Sequence, residues 1–303
     1  MKKALYVLLI GLILLFFLIW WKWPDDKLHV VMCDVGQGDA ILINLHFHQL
    51  LIDTGPSDAV LDCLGEFMPF WDRNIEVIVL THDDADHAAG IKSIVTSYKV
   101  GVIFRNPPWE PTELSKAIEE IIKKYQIETH TLTQGKKITI ENGETDVTFL
   151  SIWPEVEDIS VFKKTEQEQD PNRMVKNKGK KNDNDLSVSG YVGYGEFRML
   201  SAGDISSEIE LSLTREHVIK DIDVIKVSHH GSKNSTHEEF IMASRPETAL
   251  MGVGKNNSFG HPHTRVIDIL RYRNIKIYTT SQHGHIEIIS DGRGYEVKPS
   301  REK

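Results

Sequence analysis

The chain has 303 residues, of which 40% are hydrophobic and 26% charged, and its formal net charge is −9 at pH 7. This balance is ordinary for a globular core and excludes wholesale disorder, and the length suits one large domain with a short appendage. The negative net charge argues against nucleic-acid binding through a surface that is basic overall. Nucleic-acid binding through a local basic stripe is still compatible with this charge. The stripe consists of Lys176, Lys178, Lys180, Lys181, Lys233 and Lys255.

The first residues predict a membrane anchor. The apolar run Ala4–Trp21 follows two lysines and is long enough to cross most of the hydrocarbon core of a bilayer, with tryptophans at its exit. A cleaved signal peptide is the alternative, but it needs small residues at a cleavage site, where this chain has Trp-Trp-Lys-Trp-Pro. We therefore expect residues 1–27 to be a single-pass anchor with a short linker. Residues 28–303 would then form one domain on the outer side of the cell membrane.

Apolar strands and amphipathic helices alternate through this domain. Strands are predicted at Leu28–Val35, Ala40–Asn44, Gln49–Asp53, Ile75–Leu80, Val100–Phe104, Lys137–Ile140 and Val147–Trp153. Helices are predicted at Ala59–Met68, His87–Ser97 and Pro111–Tyr125. A polar stretch over residues 155–184 is predicted to be a mobile insertion or lid, after which strands and helices alternate again.

The segment Thr81–His87 indicates a metal site. It follows the strand Ile75–Leu80 and carries two histidines and three aspartates. Alternate residues of an extended turn point the same way, so His82 and Asp84 converge on one point, while Asp86 and His87 reach a second point at the helix entry. The alternative is a loop that only caps a helix, for which one aspartate would suffice. So many carboxylates and imidazoles predict a compensating cation.

Three later strands also end in polar, chemically capable residues. The strand from Phe197 ends at Gly203 and Asp204, and Val224–Val227 is followed by Ser-His-His-Gly-Ser over residues 228–232. The strand Thr248–Val253 leads into a loop that contains Gly-His-Pro-His at residues 260–263. This layout is typical of a layered α/β domain that builds its site at one edge of a sheet.

In this order the motifs resemble the metallo-β-lactamase superfamily, and within it the hydrolase domain of the ComEC-type competence proteins. The segments Val35–Ala40 and Asp53–Gly55 also resemble that group, so the resemblance covers Leu28 to Tyr295. It implies a four-layer αββα sandwich of the metallo-β-lactamase type, preceded here by one N-terminal transmembrane helix. It also implies a metal-dependent hydrolase.

We expect two divalent metal ions. His82 and Asp84 are assigned to the first ion, Asp86, His87 and His229 to the second, and Asp204 to a bridge between the two. Spacing does not separate neighbours, so His230 is the alternative to His229. The charge balance leaves about one positive unit for a bridging hydroxide, which would be the nucleophile.

Two departures from the superfamily affect the choice of metal. Asp84 stands where the wider superfamily has histidine, as in the competence-type subgroup, and the segment Asn182–Ser187 offers no histidine to complete the first site. A carboxylate in place of an imidazole makes the site harder, so Mn²⁺ competes with Zn²⁺.

Further residues are expected around the ions. Asp86, His230 and His261 are expected to act in catalysis, the last as a general acid, and Lys233, Asn257, His261 and His263 to contact the substrate. Asp53 is expected to orient a ligand from behind, with a turn-forming aspartate as the alternative. For His261 and His263 the alternative is a Gly-His-Pro turn that caps the helix Thr264–Tyr272.

The two cysteines lie in apolar settings. We expect Cys33 and Cys63 to be buried free thiols, and one disulfide in an oxidising compartment is the alternative.

The leading function is a membrane-anchored, metal-dependent phosphodiesterase or nuclease acting on a phosphodiester such as DNA. The first alternative is a hydrolase of an envelope-borne phosphodiester such as a phosphocholine ester, and the second is a non-catalytic binding domain. No protein partner is inferred. A long basic groove would favour DNA, and an aromatic pocket would favour a choline-like cation.

Overall fold

The alternation of side chains along β1 (Leu28–Met32) divides the protein into layers. Leu28, Val30 and Met32 belong to a core that also contains side chains of a second sheet, such as Phe149. Val31 points the other way, into a core that the first sheet shares with helices. The computed structural model describes residues 2–106, 111–141, 143, 145–156 and 183–302.

Within these residues the strands form two sheets. The first has the order β15-β14-β1-β2-β3-β4-β5-β6 and the second β13-β12-β11-β10-β9-β8-β7. The remaining strands of the first sheet are β2 (Ile41–Leu45), β3 (His48–Ile52), β4 (Asn74–Leu80), β5 (Lys99–Arg105), β6 (Glu128–His130), β14 (Ile286–Ser290) and β15 (Tyr295–Pro299). Those of the second are β7 (Lys137–Ile140), β8 (Val147–Trp153), β9 (Ser189–Tyr194), β10 (Phe197–Ser201), β11 (Val224–Lys226), β12 (Thr248–Met251) and β13 (Lys276–Thr279).

Helices cover both outer faces of the pair of sheets. The helices of the described residues are α1 (Lys2–Trp21), α2 (Val60–Phe67), α3 (Ala85–Ala88), α4 (Ile91–Ser97), α5 (Glu113–Tyr125), α6 (Ser207–Arg215), α7 (Glu238–Ser244), α8 (Thr264–Tyr272) and α9 (Thr280–His283). Residues of α2, α4 and α5 pack on the first sheet, and residues of α6, α7 and α8 pack on the second. The expected αββα arrangement of two sheets between helices is therefore confirmed.

The strands that lead to the predicted motifs are parallel neighbours. Strands β3, β4 and β5 run parallel in the first sheet, and β10, β11 and β12 run parallel in the second. Parallel strands end at the same edge of their sheet. The loops after β3 and β4 therefore gather at one edge of the first sheet, and those after β10, β11 and β12 at one edge of the second.

The predicted helix His87–Ser97 is wrong in one respect, because the structure has two short helices there. The helix is interrupted at Gly90, whose N–H donates to Gly55 O at 2.9 Å. A Cβ on Gly90 would lie 2.1 Å from Thr54 O, so only glycine allows this close approach. The break leaves α3 as a single turn that carries Asp86 and His87.

The expectation of free thiols is wrong, since Cys33 and Cys63 form a disulfide across 30 residues. It joins the end of β1 to α2, where the two Cα atoms lie 5.7 Å apart, within the range that a disulfide spans. Both cysteines are fully buried, as their apolar settings indicate, but sequence alone does not show that the two thiols meet.

The predicted anchor coincides with α1, whose large apolar side chains from Leu5 to Leu18 are between 45% and 71% exposed. Among the residues that the structure describes, no helix combines the length and the apolarity that crossing a membrane requires. The anchor, its single-pass topology and the domain boundary at residue 28 stay predictions. Residues 157–182, which make up most of the predicted insertion and include Lys176, Lys178, Lys180 and Lys181, lie outside the described part of the chain.

Candidate metal centre

The loop after β4 brings its side chains to the sheet edge without using them to cap α3. Asp84 is the N-cap residue of α3, but its carboxylate accepts no hydrogen bond from the described helix backbone. Its Oδ2 lies 3.6 Å from Nε2 of His82 instead. The helix-capping alternative therefore does not account for this aspartate.

Four side chains from three loops meet at one buried point. Nε2 of His230 lies 3.2 Å from Nε2 of His87 and 3.2 Å from Oδ2 of Asp86. Oδ2 of Asp204 lies 3.3 Å from Nε2 of His87 and 3.5 Å from Nε2 of His230. Nitrogen and oxygen ligands about 2.1 Å from a tetrahedral ion are about 3.4 Å apart. The spacing of His87, His230 and Asp204 therefore fits a bound divalent cation, and Asp86 adds a carboxylate beside His230. Asp39, His87, Asp204 and His230 can each offer one ligand atom within 4.8 Å of the others.

The neighbours of the two imidazoles support this assignment. Oδ2 of Asp53 lies 2.7 Å from Nδ1 of His87, and Oδ1 of Asp39 lies 3.2 Å from Nδ1 of His230. A carboxylate on the far nitrogen is the usual partner of a metal-ligating histidine, because it fixes the ring and its tautomer. Both rings thus present Nε2 to the same point.

His82 and Asp84 form a second pair beside this cluster. The rings of His82 and His87 are 4.2 Å apart, and Nδ1 of His82 lies 3.0 Å from the Thr81 hydroxyl. Nε2 of His82 is buried and has no hydrogen-bond partner within the described residues. An unpaired buried imidazole nitrogen suits a metal ligand. Ser187 lies on the other side, with its hydroxyl 3.4 Å from Nδ1 of His82.

The structure distinguishes the two adjacent histidines. The side chain of His230 is 1% exposed and lies in the cluster, whereas that of His229 is 31% exposed and its Nε2 is 3.9 Å from Oδ2 of Asp204. Both residues have left-handed backbone angles, with φ of 49° and 53°. Such strain in non-glycine residues persists where the surroundings impose it and clusters at functional sites.

A glutamate from α6 holds this strained loop. Glu210 is fully buried, and its carboxylate accepts hydrogen bonds from the hydroxyl of Ser228 at 2.6 Å and from the N–H groups of Thr236 and His237 at 2.8 and 2.7 Å. The loop is therefore fixed on both sides of the His229-His230 pair.

Lys226 and Asp39 also contact the cluster, and the sequence analysis did not single out either residue. The ammonium of Lys226 is buried; it donates to Gly203 O at 2.8 Å and to Oδ1 of Asp204 at 3.1 Å, and it contacts Oδ2 of Asp39. A lysine inside the apolar strand Val224–Val227 is a signal that was available. For Asp39 the available signal was the segment Val35–Ala40, which contains it. Gly38 in this segment packs against α3, since a Cβ on Gly38 would lie 2.2 Å from Asp86 O.

The carboxylates give the site a strong preference for positive charge. Burial lowers the pKa of His230, but Asp39 and Asp204 outweigh it and raise the value to about 9. Burial also opposes ionisation of Asp204, yet His87, His230 and Lys226 hold its pKa well below the usual range. Without a cation in the site, these residues are charged because each has opposite charges within hydrogen-bond distance. A divalent ion would take the place of the proton on Nε2 of His230.

The rim residues differ in what they offer to a substrate. His261 lies beside the cluster, with its ring 5.6 Å from that of His229, and its buried Nδ1 is unpaired in the described part of the chain. Burial and the positive charges of His229 and His230 lower its pKa to about 4. A ring that is neutral at pH 7 can act as a base or as a neutral hydrogen-bond donor. The role of His261 as a general acid stays a prediction.

The other expected substrate contacts serve mainly the loops. Asn257 donates its amide to Gly254 O and His261 O, and His263 is the N-cap of α8, where its side chain accepts from Arg265 N–H. The capping alternative therefore describes His263. Lys233 is exposed, and its carbonyl accepts from Arg265 at 3.4 Å.

Comparisons with known proteins agree with the fold. The family model described as the metallo-beta-lactamase superfamily matches residues 33–255. ComE operon protein 3 of Bacillus subtilis is 28% identical over 281 residues, which cover 85% of this chain and 32% of that protein. Recombination protein 2 of Haemophilus influenzae is 27% identical over 287 residues, which cover 93% of this chain and 30% of that protein.

The chain thus spans about a third of the length of these relatives. A solved structure of a CmlA beta-hydroxylase mutant superposes with a TM-score of 0.52 and 11% identity, over 87% of this chain and 54% of that one, which shows a shared fold only. The chain belongs to the metallo-β-lactamase superfamily and resembles the domain of this type in the ComEC-type competence proteins.

Proposed function

We propose that this chain is a metal-dependent phosphodiesterase with DNA as its leading substrate. The observation that carries the proposal is the cluster of His87, Asp204 and His230, whose ligand atoms have the spacing that a divalent ion requires, with Asp86 beside His230. The adjacent pair of His82 and Asp84 supports a second ion. The ions proposed are Zn²⁺ or Mn²⁺, since imidazoles and carboxylates accept both.

The protein groups around the ions have separate tasks. Divalent ions supply Lewis acidity to a phosphodiester and generate a nucleophile from water at neutral pH. Asp53 and Asp39 hold the two imidazoles with Nε2 inward, and Lys226 binds Oδ1 of Asp204, so that Oδ2 faces the imidazoles. His261 offers a neutral ring at the rim, where it can hold a substrate oxygen without adding charge.

Two observations support DNA as the substrate: the name of one relative, and the exposed lysines near the site. One relative is named a recombination protein and covers 93% of this chain. Exposed Lys233 and Lys255 stand on two of the loops that form the site, where they would attract phosphates.

We also propose that α1 attaches the protein to a membrane and that the catalytic domain lies outside the cytoplasm. The exposed apolar side chains of α1 support attachment, and the Cys33–Cys63 disulfide supports an oxidising compartment. Carbonate extraction of cell membranes should leave the full chain in the pellet and release a chain that begins at Lys27. Release of the full chain would contradict the anchor.

The direct test of activity uses the full chain in detergent, stripped of metal and reloaded with Mn²⁺ or Zn²⁺. We expect cleavage of single- or double-stranded DNA and of bis(p-nitrophenyl) phosphate, with loss on addition of a chelator. Asp204→Ala should lose at least a hundred-fold in rate and bind less metal, because its carboxylate faces both inner imidazoles. Asp221→Asn, which changes an exposed carboxylate paired with Arg245, is the matched control.

Three other outcomes would change the proposal. Hydrolysis of the small diester with DNA untouched would replace DNA by an envelope or small-molecule diester. Turnover by Asp204→Ala with normal metal content would remove this cluster as the site. Metal binding without hydrolysis of any diester would point to another substrate class.

A further inference from the structure

The loop between β12 and α8, residues 252–263, carries an exposed aromatic ring at the rim of the site. Phe259 is 67% exposed. Its ring lies 5.7 Å from that of His261, with an angle of 26° between the planes. The His261 ring in turn lies 6.3 Å from that of His230, also at 26°. One imidazole therefore separates an exposed phenyl face from a ligand of the metal cluster.

Hydrogen bonds hold this loop in place. The Asn257 amide donates to Gly254 O at 3.0 Å and to His261 O at 2.7 Å, and its oxygen accepts from His261 N–H at 2.9 Å. Gly254 N–H donates to the Gln37 side chain at 3.2 Å, which ties the loop to the first sheet. Exposed apolar side chains are common on protein surfaces, so exposure alone means little. What distinguishes Phe259 is the fixed loop and its stacking toward the metal cluster.

We propose that Phe259 is a platform on which one nucleobase of the substrate stacks, beside the phosphodiester held at the metal cluster. This inference rests on the proposed phosphodiesterase function and makes the substrate class single-stranded nucleic acid. Bases in a duplex stack on each other, whereas an unpaired base is free to stack on an aromatic side chain. Such stacking tolerates any base, which suits an enzyme that reads no sequence.

A choline-like headgroup is the competing occupant of this face. Quaternary ammonium ions are recognised by cages of several aromatic faces. In the described part of the chain, the ring contact that Phe259 makes is with a single imidazole, that of His261. One flat face fits a planar ring better than it fits a tetrahedral cation.

The test compares two diesters with the same leaving group, the p-nitrophenyl ester of thymidine 5′-monophosphate and methyl p-nitrophenyl phosphate. The full chain is assayed in detergent with Mn²⁺. We expect the wild type to have the lower KM for the thymidine ester, and Phe259→Ala to reduce this preference about ten-fold. Phe259→Trp should keep the preference. Tyr272→Ala, which removes a 79% exposed ring on α8, should also keep it.

The possible results separate this inference from the function on which it rests. An equal preference in wild type and Phe259→Ala, with both esters hydrolysed, overturns the platform and leaves the phosphodiesterase in place. A preference for p-nitrophenylphosphorylcholine that Phe259→Ala abolishes overturns the nucleobase in favour of a quaternary ammonium.

If no diester is hydrolysed, the proposed function fails, and binding of fluorescent oligo(dT) measured by anisotropy decides the platform. An affinity about ten-fold lower in Phe259→Ala, but not in Phe259→Trp, supports it. An unchanged affinity, or no binding by the wild type, overturns it.

Discussion

Oδ2 of Asp53 lies 2.7 Å from Nδ1 of His87, so the carboxylate at the end of β3 determines which nitrogen of His87 faces the metal cluster. The same carboxylate accepts from the N–H and the hydroxyl of Thr81, both at 2.8 Å. One buried aspartate therefore positions the imidazole and also anchors the start of the loop that carries the other ligands.

Asp53→Asn should weaken metal binding without removing any ligand. An amide that donates to Nδ1 would favour the wrong tautomer, and loss of such outer partners typically costs 10- to 100-fold in metal affinity. Competition with a chromophoric chelator measures this affinity for Zn²⁺. The exposed Asp58→Asn serves as the control. Wild-type affinity in Asp53→Asn would show that this carboxylate only forms a turn.

Lys226→Met should destabilise the metal-free protein by about 3–5 kcal/mol, because it leaves two buried carboxylates without their shared cation. Added Zn²⁺ or Mn²⁺ should then raise the melting temperature of this variant more than that of the wild type. Thermal unfolding with and without metal measures both effects. Lys220→Met, at an exposed lysine near the same sheet, should change neither.

Reduction of the Cys33–Cys63 disulfide should lower the free energy of unfolding by about 3–4 kcal/mol, given a closed loop of 30 residues. Urea unfolding with and without dithiothreitol measures the difference. Cys33→Ala/Cys63→Ala should show the lower stability under both conditions. If the reductant destabilises this double variant as much as the wild type, the effect does not come from the disulfide.

Glu210 should make stability depend on pH. Burial raises the pKa of its carboxyl from 4.5 to about 7, against the hydrogen bonds from Ser228, His237 and Thr236. Between pH 4.5 and 7 the folded protein therefore keeps a proton on Glu210 that the unfolded chain has released. The protonated carboxyl contributes up to about 3 kcal/mol to the free energy of unfolding. This contribution is fully present below pH 4.5 and is lost as the pH rises through 7.

Glu210→Gln does not titrate, so its free energy of unfolding should lack this decline between pH 4.5 and 7. The variant should also be less stable overall, because an amide nitrogen would oppose one of the two backbone N–H groups that the carboxylate accepts. Urea unfolding at several pH values compares the two proteins. Parallel pH profiles would show that Glu210 does not titrate in this range.

The sequence alone indicated the layered α/β fold and most of the cluster. Apolar strands and the helices between them predict layers, because their apolar faces must be buried against another element. Five ligand-type side chains in six residues at a strand end predict a cation, because they would otherwise repel one another. Asp86, His87 and Asp204 were identified in this way, and the structure brings all three together.

Only the tertiary structure decided which of two adjacent histidines enters the cluster. The left-handed backbone at His229 and His230 turns the second imidazole inward, where its Nδ1 contacts Asp39, a residue far away in the sequence. Glu210 holds the loop itself, through Ser228, Thr236 and His237. The pairing of Lys226 with Asp39 and the meeting of Cys33 with Cys63 depend in the same way on how the sheets pack. The sequence of a segment determines its secondary structure and the chemistry of its side chains. Which side chains are buried, and which residues they contact, is determined only when segments distant in the sequence pack together.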